Sequence, residues 1–318
     1  MKSSVLKKIL SSVCFVLILA LLLVLLSYAF YPNKDENKLM QDVKPDGLLA
    51  EPDNSLDVIF FGDSEVYTSV SPVQMWKENG FTSYACASAA QYISLTDSFI
   101  HQALEHQQPK VIVIDANVVY RKMISDNALA TATEEIFSIF QHHNRWKTMS
   151  PIDLNHGVTY TIKDDLKGFK YNNISIKGKD KKYMRKTDEI LPISEMNKEH
   201  IRSISKFCNE KNVKLLLVSS PSSVNWNYRK HNGVQQLADE IGVPYLDLNL
   251  HNDIIKINWK TDSADAGDHL NFKGATKSSA FLGKYIAETY DLTDHRKDPA
   301  YSEWNDLILK YKELTKQN

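Results

Sequence analysis

An α/β fold, with one parallel sheet between two helical layers, is the architecture this sequence predicts, and three observations predict it. Short apolar runs rich in Val, Ile, Leu and Phe recur along the chain: LDVIFFG (56–62), KVIVIDA (110–116) and VKLLLVSS (213–220). Near-continuous runs of this kind suit strands buried on both faces, as parallel strands are. Helix-period segments lie between them, and such alternation points to right-handed β-α-β crossovers in a three-layer sandwich. Finally, 318 residues with 43% apolar content are enough to bury one large core.

The first segment is not part of that core. Lys2, Lys7 and Lys8 precede ILSSVCFVLILALLLVLLSYAF, an uncharged run over 9–30. As a helix it is long enough to cross a hydrocarbon layer of roughly 30 Å. A cleaved signal peptide has a shorter apolar region, about 7–15 residues, and ends in a small-x-small site. This run is longer and ends in Ser27-Tyr28-Ala29-Phe30-Tyr31, which offers no such site. The expectation is a single uncleaved transmembrane anchor. The lysines place residues 1–8 in the cytoplasm and the rest outside. Residues 31–54 are polar, without periodicity, and read as a tether.

The domain is expected over 55–290. Its strands are 56–62, TSYACA (82–87), 110–116, 213–220 and VPYLDLN (243–249); its helices are 72–79, about 92–107, 197–211, 231–241 and 273–289. A long insertion, 120–195, interrupts the alternation. It holds a helical stretch (133–146) and a basic run, KGKDKKYMRK (177–186), and an excursion of this size reads as a lid or a partner surface. Residues 291–318 read as a terminal helix with Trp304, Leu307, Leu309 and Tyr311 available for packing.

Composition narrows the functions. A formal net charge of -1 gives no case for nucleic acid. Cys14 lies in the apolar span, and Cys86 and Cys208 read as two buried free thiols. There is no C-x-x-C and no zinc pattern, and no cofactor or metal is expected. His142-His143 reads as a solvated pair, because adjacent side chains face different directions.

The chemistry-bearing stretch is VIFFGDSEVYTSVSP (58–72). Ligands of a parallel α/β sheet bind at the carboxyl ends of strands, and Ser64 stands just past the end of the first. Gly62 permits a tight or positive-φ backbone there. Asp63 and Ser64 can also be read as no more than a cap on a following helix. A serine nucleophile needs a base, and the base needs an orienting acid. DAGDHLNFKGAT (265–276) supplies His269, with Asp265 and Asp268 beside it, in a loop opening on the same edge. Asn117, at the end of the third strand, can donate to a developing oxyanion with the backbone N–H of Ser64, or simply make a turn. SSPSSVNWNYRK (219–230) opens on that edge too, where Trp226 and Tyr228 either stack on a sugar or pack under the lid.

With Gly62-Asp63-Ser64 after an apolar strand, Asn117, and Asp265 to His269 followed by Leu270-Asn271-Phe272-Lys273-Gly274-Ala275, the chain resembles the SGNH/GDSL hydrolase superfamily over roughly 55–290. It is most similar to membrane-anchored, extracytoplasmic Gram-positive members, including relatives of the teichoic-acid D-alanylation protein. The resemblance implies a flavodoxin-like sheet and acyl chemistry, with Ser64 as nucleophile, His269 as base, and an oxyanion held by Ser64 N–H, Asn117 and a further backbone N–H. It implies no cofactor. Two departures stand out. The family's second block supplies a glycine, whereas YACASAAQYISL (84–95) has none. An N–H from Ala87, Ser88, Ala89 or Ala90 can serve, with Ala90-Gln91 in the place of Gly-Gln. The family spacing Asp-x-x-His is also broken: Ala266 stands three before His269. The orienting acid is therefore Asp265, Asp268 or neither.

The implied activity is that of an extracytoplasmic serine esterase or O-acyltransferase acting on acyl esters of a cell-envelope polymer. A multi-pass membrane-bound O-acyltransferase is the implied acyl-donating partner. The alternative is a non-catalytic scaffold or binding protein in a polymer-modification complex, which the glycine-free second block favours.

Overall fold

The computed structural model describes residues 2–30, 43–121, 139, 163–178 and 182–316. The chain divides into two compact units, Met1–Met40 with Met123–Thr161, and Gln41–Lys122 with Ile162–Asn318. In the first unit, Lys2–Phe30 is one α-helix. Within it, Lys7–Ala29 spans 23 residues, about 35 Å at ~1.5 Å per residue, and its most apolar 18-residue stretch has a mean hydropathy of 3.2. It is long and apolar enough to cross a membrane. The expected helical stretch at 133–146 and the His142-His143 pair lie outside the described residues, apart from Ile139.

The second unit holds a five-stranded sheet, β1 (Val58–Gly62), β2 (Ser83–Ala87), β3 (Val111–Asp115), β4 (Lys214–Ser219) and β5 (Tyr245–Asp247), in the order β2-β1-β3-β4-β5. All four pairings are parallel. Alternate side chains of each strand therefore enter different layers. Ile59, Phe61, Ile112, Ile114, Leu215 and Leu217 join one buried cluster, together with Ile100, Ile201, Ile204 and Leu237 of the helices Ile93–His106, Glu195–Glu210 and Tyr228–Ile241. Val58, Phe60, Val111, Val113, Leu216 and Val218 join the other, with Met75 of Pro72–Asn79 and Leu282 and Ile286 of Phe272–Thr289. This is the three-layer α/β/α sandwich with a parallel sheet, in flavodoxin-like strand order. Because every strand runs the same way, the segments after β1, β2, β3, β4 and β5 all emerge on one edge.

Three details differ from the sequence reading. The tether ends earlier than expected: Val43–Leu49 is helical, and Leu48 and Glu51 are buried. Gln107 fixes the approach to β1, accepting from Ser55 N at 3.0 Å and donating to the Pro52 carbonyl at 2.8 Å. In the terminal helix Ser302–Lys316, Trp304, Leu307 and Tyr311 are buried but Leu309 is 65% exposed, because it lies off the face that the other three share. A helix Ser64–Ser69, not anticipated as an element, starts on the serine itself. Cys86 and Cys208 are buried free thiols, and burial, with Asp97 nearby, pushes the Cys208 thiol up to about 12.

Within the insertion, residues 167–178 form a strap. Lys167 O accepts from Ala85 N of β2, Lys170 N donates to Tyr67 O, and Ile176 N and Gly178 N donate to Ser263 O and Trp259 O. The chain thus passes from β2 across the helix Ser64–Ser69 to the loop that carries His269. Its start is anchored by a buried ion pair, Lys167 Nζ to Glu51 Oε1 at 2.6 Å and to Oε2 at 2.9 Å, with the ammonium 5.1 Å from the Trp304 ring centroid. Burial outweighs Lys167 and raises the Glu51 carboxyl. Breaking a buried pair strands a charge, whereas replacing both partners by apolar groups is often neutral. Lys167→Met is therefore expected to destabilise the domain by about 3–5 kcal/mol, and Glu51→Leu/Lys167→Met to recover most of that. Urea denaturation of the two variants measures the difference, and equal loss in both would refute it.

Candidate active site

β1 ends at Gly62, and the sequence that follows has no room for a side chain there. A Cβ at Gly62 would lie 2.5 Å from Val66 Cγ2 and 3.0 Å from Asp115 Cβ. Among the described residues, the glycines with positive φ are Gly80, Gly168, Gly242 and Gly267, so Gly62 serves close approach rather than a left-handed turn. Asp63 caps the helix, its Oδ1 accepting from Glu65 N at 3.0 Å. The cap reading of Asp63 and the presentation of Ser64 are thus the same arrangement. Ser64 becomes the first helical residue, whose N–H has no carbonyl one turn back to bond.

The loop carrying His269 is built from its own polar groups. Ser263 and Leu270 pair across its base, and Ala264 N donates to His269 O at 3.0 Å. Ser263 Oγ accepts from Gly267 N at 2.6 Å and from Asp265 N at 3.3 Å. Ala266 (φ 67) and Gly267 (φ 104) are both left-handed. These two left-handed residues bring Asp265 back under the imidazole. Asn271 ties the loop to the next helix, accepting from Lys273 N and Gly274 N and donating to Thr261 O at 2.8 Å.

The result is a connected line of three side chains. His269 Nε2 is 2.8 Å from Ser64 Oγ, although 205 residues separate them in sequence. On the other side of the ring, Nδ1 is 2.5 Å from Asp265 Oδ2, and His269 N donates to Asp265 Oδ1 at 2.6 Å. A carboxylate only accepts, so the proton is assigned to Nδ1 and the Nε2 lone pair faces the serine hydroxyl. Asp268 Oδ2 stands 3.9 Å from Nδ1, while its Oδ1 accepts from Asn225 Nδ2. Of the acids left open by the sequence, Asp265 is the one hydrogen-bonded to the ring. Burial raises the Asp268 carboxyl.

Asn117 lies on the same edge but is more engaged than expected. Its Nδ2 donates to Asp63 Oδ2 at 2.9 Å, and its Oδ1 accepts from Lys230 Nζ at 3.1 Å. One of the two Nδ2 hydrogens is therefore committed to Asp63 and one remains. Asp63 Oδ2 also accepts from Arg121 Nε at 2.8 Å and Nη2 at 2.5 Å. Lys230 donates to Asn225 O at 2.6 Å, with its ammonium 5.2 Å from the Tyr120 ring centroid and 5.6 Å from that of Trp226. Burial, then the Arg121 charge, lowers the Lys230 ammonium. Trp226 is buried and donates from Nε1 to Asp247 Oδ2 at 2.9 Å. It belongs to the packing, not to a sugar platform; Tyr228 is half-buried against His231.

The segment after β2 carries the residues expected to supply a further backbone N–H. Gly62 pairs with Ala87, so residues 88–91 emerge beside Ser64. Ser88 N and Oγ both donate to Gln91 Oε1, at 2.9 and 3.0 Å, and Gln91 Nε2 donates to Thr96 Oγ1 at 2.8 Å. Inside this pinned turn Ala90 has φ 53, a left-handed conformation that glycine adopts without strain.

Glu65, Arg121, Asn225 and Lys230 were not singled out from the sequence. Glu65 follows Ser64 directly, yet its side chain turns inward. It is 2% exposed; Oε1 accepts from Asn225 Nδ2 at 2.8 Å, and Oε2 is buried without a partner. Burial, reinforced by Asp63, holds its carboxyl well above the usual range. Burial and Asp63 also push Asp115 up to about 6. A carboxyl raised on folding binds its proton more tightly in the native state. Its contribution is favourable below the unfolded pKa, about 4.5 for this group, and is lost as pH rises through the folded value. Glu65→Gln removes that titration while Asp63, Asp115, Asp268, Arg121 and Lys230 stay. The variant is expected to gain stability relative to the parent as pH rises from 5 to 8 in urea titrations. A difference independent of pH would contradict a protonated Glu65.

Glu65, Asp268 and His269 each bring one potential ligand atom within 4.8 Å of the others. The ring nitrogens of His269 are already engaged by Asp265 and Ser64, so a cation there would compete with the Ser64 contact.

Known structures resemble this chain only distantly. No family model and no curated protein matches the chain. Among solved structures, a GDSL-like lipase from Bacteroides thetaiotaomicron is 12% identical with a TM-score of 0.37, covering 83% of this chain and 99% of its own. A lipase/acylhydrolase from Enterococcus faecalis is 11% identical with a TM-score of 0.40, covering 74% and 96%. An acetylxylan esterase from Geobacillus stearothermophilus is 10% identical with a TM-score of 0.39, covering 76% and 96%. At such identities no residue role carries over, and the chemistry rests on the side chains themselves.

Proposed function

We propose that the protein is a serine esterase or O-acyltransferase of the SGNH type. The observation that carries the proposal is the line Ser64 Oγ, His269, Asp265, with contacts of 2.8 and 2.5 Å at the carboxyl edge of a parallel sheet. In this reading Ser64 Oγ attacks an ester carbonyl while its proton passes to His269 Nε2. Asp265 holds the ring and stabilises the imidazolium that forms. The oxyanion is met by Ser64 N–H, the remaining Nδ2 hydrogen of Asn117 and an N–H of the Ala90 turn. His269 then protonates the departing alkoxide as the C–O bond breaks. Water or an acceptor hydroxyl attacks the acyl-serine, giving its proton to His269, and the proton returns to Ser64 as the acyl group leaves.

The apolar helix at the N-terminus, with lysines before it, supports a membrane anchor and an extracytoplasmic domain. A domain held there meets polymers of the cell envelope, and these are the proposed acyl carriers, with a membrane-bound O-acyltransferase as the proposed donor partner. External protease applied to intact cells should digest the 56–290 region; digestion only after lysis would reverse the orientation. For the chemistry, the full-length protein in detergent is treated with a fluorophosphonate probe. Covalent labelling is expected; a folded protein that resists labelling and hydrolyses no small ester would be a scaffold instead.

A further inference from the structure

Beyond the strap, where the basic run meets the loop Trp259–His269, the surface opens into a cleft of about 340 Å³ lined by Lys182, Tyr183, Arg185, Asn249 and Trp259 among others. Its floor is aromatic and rigid: the Tyr183 and Trp259 rings meet edge to face, with centroids 5.8 Å apart, and Trp259 is buried apart from a small edge. Its rim is cationic. Lys182 and Arg185 are both exposed.

The cleft is mechanically joined to the loop of His269. Tyr183 Oη donates to Asn249 Oδ1 at 3.1 Å. The same oxygen accepts from Ser222 N at 3.1 Å, and Ser222 Oγ donates to Asp268 O at 2.7 Å. Gly178 N, just before the basic residues, donates to Trp259 O at 2.7 Å. Asn249 follows β5, so the cleft opens on the edge that also carries Ser64. Neither Ser64 nor His269 lines the cleft, so a ligand that meets both Ser64 and the cleft must be larger than a small ester.

We infer that this cleft binds an anionic segment of a polymeric substrate, with Lys182 and Arg185 meeting its phosphate or carboxylate groups above the Tyr183–Trp259 floor. The inference rests on the proposed esterase reading for its word substrate, but the binding itself does not depend on catalysis. Two cations beside an aromatic floor suit a chain that carries both anionic groups and apolar ring or polyol faces. Exposed charge pairs are individually weak and screened by salt, so the contribution is to affinity and orientation rather than to the chemical step.

The test uses full-length Ser64→Ala protein in detergent, which keeps the cleft and removes turnover. Fluorescein-labelled polygalacturonate, polyphosphate and neutral dextran are titrated by anisotropy at about 20 mM and about 200 mM salt. Binding of at least one polyanion and not of dextran is expected, weakening with salt. Preference between the two polyanions assigns carboxylate or phosphate. Lys182→Gln/Arg185→Gln should weaken that binding roughly fivefold at low salt, while a control pair on two helices that do not line the cleft, Lys206→Gln/Lys284→Gln, should not. Equal weakening by both pairs would reduce the effect to bulk charge and overturn the site; so would unchanged binding in the cleft variant, or equal binding of dextran. On the Ser64 background, Lys182→Gln/Arg185→Gln should leave hydrolysis of p-nitrophenyl acetate unchanged. Loss of polymer binding with intact ester hydrolysis isolates the cleft, whereas absent hydrolysis with intact binding condemns the esterase reading alone.

Discussion

Ser64→Ala is expected to lower kcat/KM for a small ester by about 10⁴-fold or more, with the fold retained. Ser64 sits at the start of a helix capped by Asp63 rather than by its own side chain, so removing Oγ leaves the cap intact. What is lost is the only oxygen hydrogen-bonded to His269 Nε2 among the described residues. Without it no acyl-serine forms, and only the oxyanion donors and binding remain to accelerate attack by water. A drop of four decades is about 5.5 kcal/mol of transition-state stabilisation at ~1.36 kcal/mol per decade. Hydrolysis of p-nitrophenyl acetate, fluorophosphonate labelling and far-UV circular dichroism on the same preparations decide it. Retention of more than about a tenth of the activity, with normal dichroism, would rule out a Ser64 nucleophile.

Much of this arrangement is legible in the sequence because it follows from position along strands. The runs around Val58–Gly62, Val111–Asp115 and Lys214–Ser219 are apolar on both faces, which marks them as central parallel strands. Once the strands are parallel, residues just after them share an edge, so Ser64 and Asn117 could be placed together without coordinates. His269 followed from the loop before the helix Phe272–Thr289. What was not legible depends on backbone turns and on burial. Whether Asp265 or Asp268 faces the ring is decided by the left-handed Ala266 and Gly267, and composition does not signal a left-handed alanine. The inward turn of Glu65, the pairing of Arg121 with Asp63, and the grip of Lys230 on Asn117 join segments that are far apart in sequence and carry no periodic mark. The helix Val43–Leu49 escaped notice because a seven-residue element is too short to show an apolar stripe. It is held by tertiary contacts, including the Glu51–Lys167 pair that follows it, more than by propensity.

The two aspartates beside His269 differ in geometry enough to be separated by matched substitutions. Asp265→Asn is expected to lower kcat by about 10²–10⁴-fold with KM nearly unchanged, a loss confined to the chemical step. Asp265 holds the ring twice, through Nδ1 at 2.5 Å and through the backbone N–H of His269 at 2.6 Å. An amide in its place can keep an acceptor on the backbone N–H, but it carries no charge to balance the imidazolium. It can also present an N–H to Nδ1, which favours the tautomer whose Nε2 cannot take the serine proton. Asp268→Asn should change kcat by less than about threefold. Its nearer ring contact is 3.9 Å, and its Oδ1 accepts from Asn225, a bond that asparagine can also accept. Both variants conserve size, so differences in folding are small and can be checked by thermal melts. A severe loss for Asp268→Asn with a mild one for Asp265→Asn would reverse the assignment. Mild losses in both would leave Ser64 and His269 working without an orienting carboxylate, and the 2.5 Å contact would then only fix the loop.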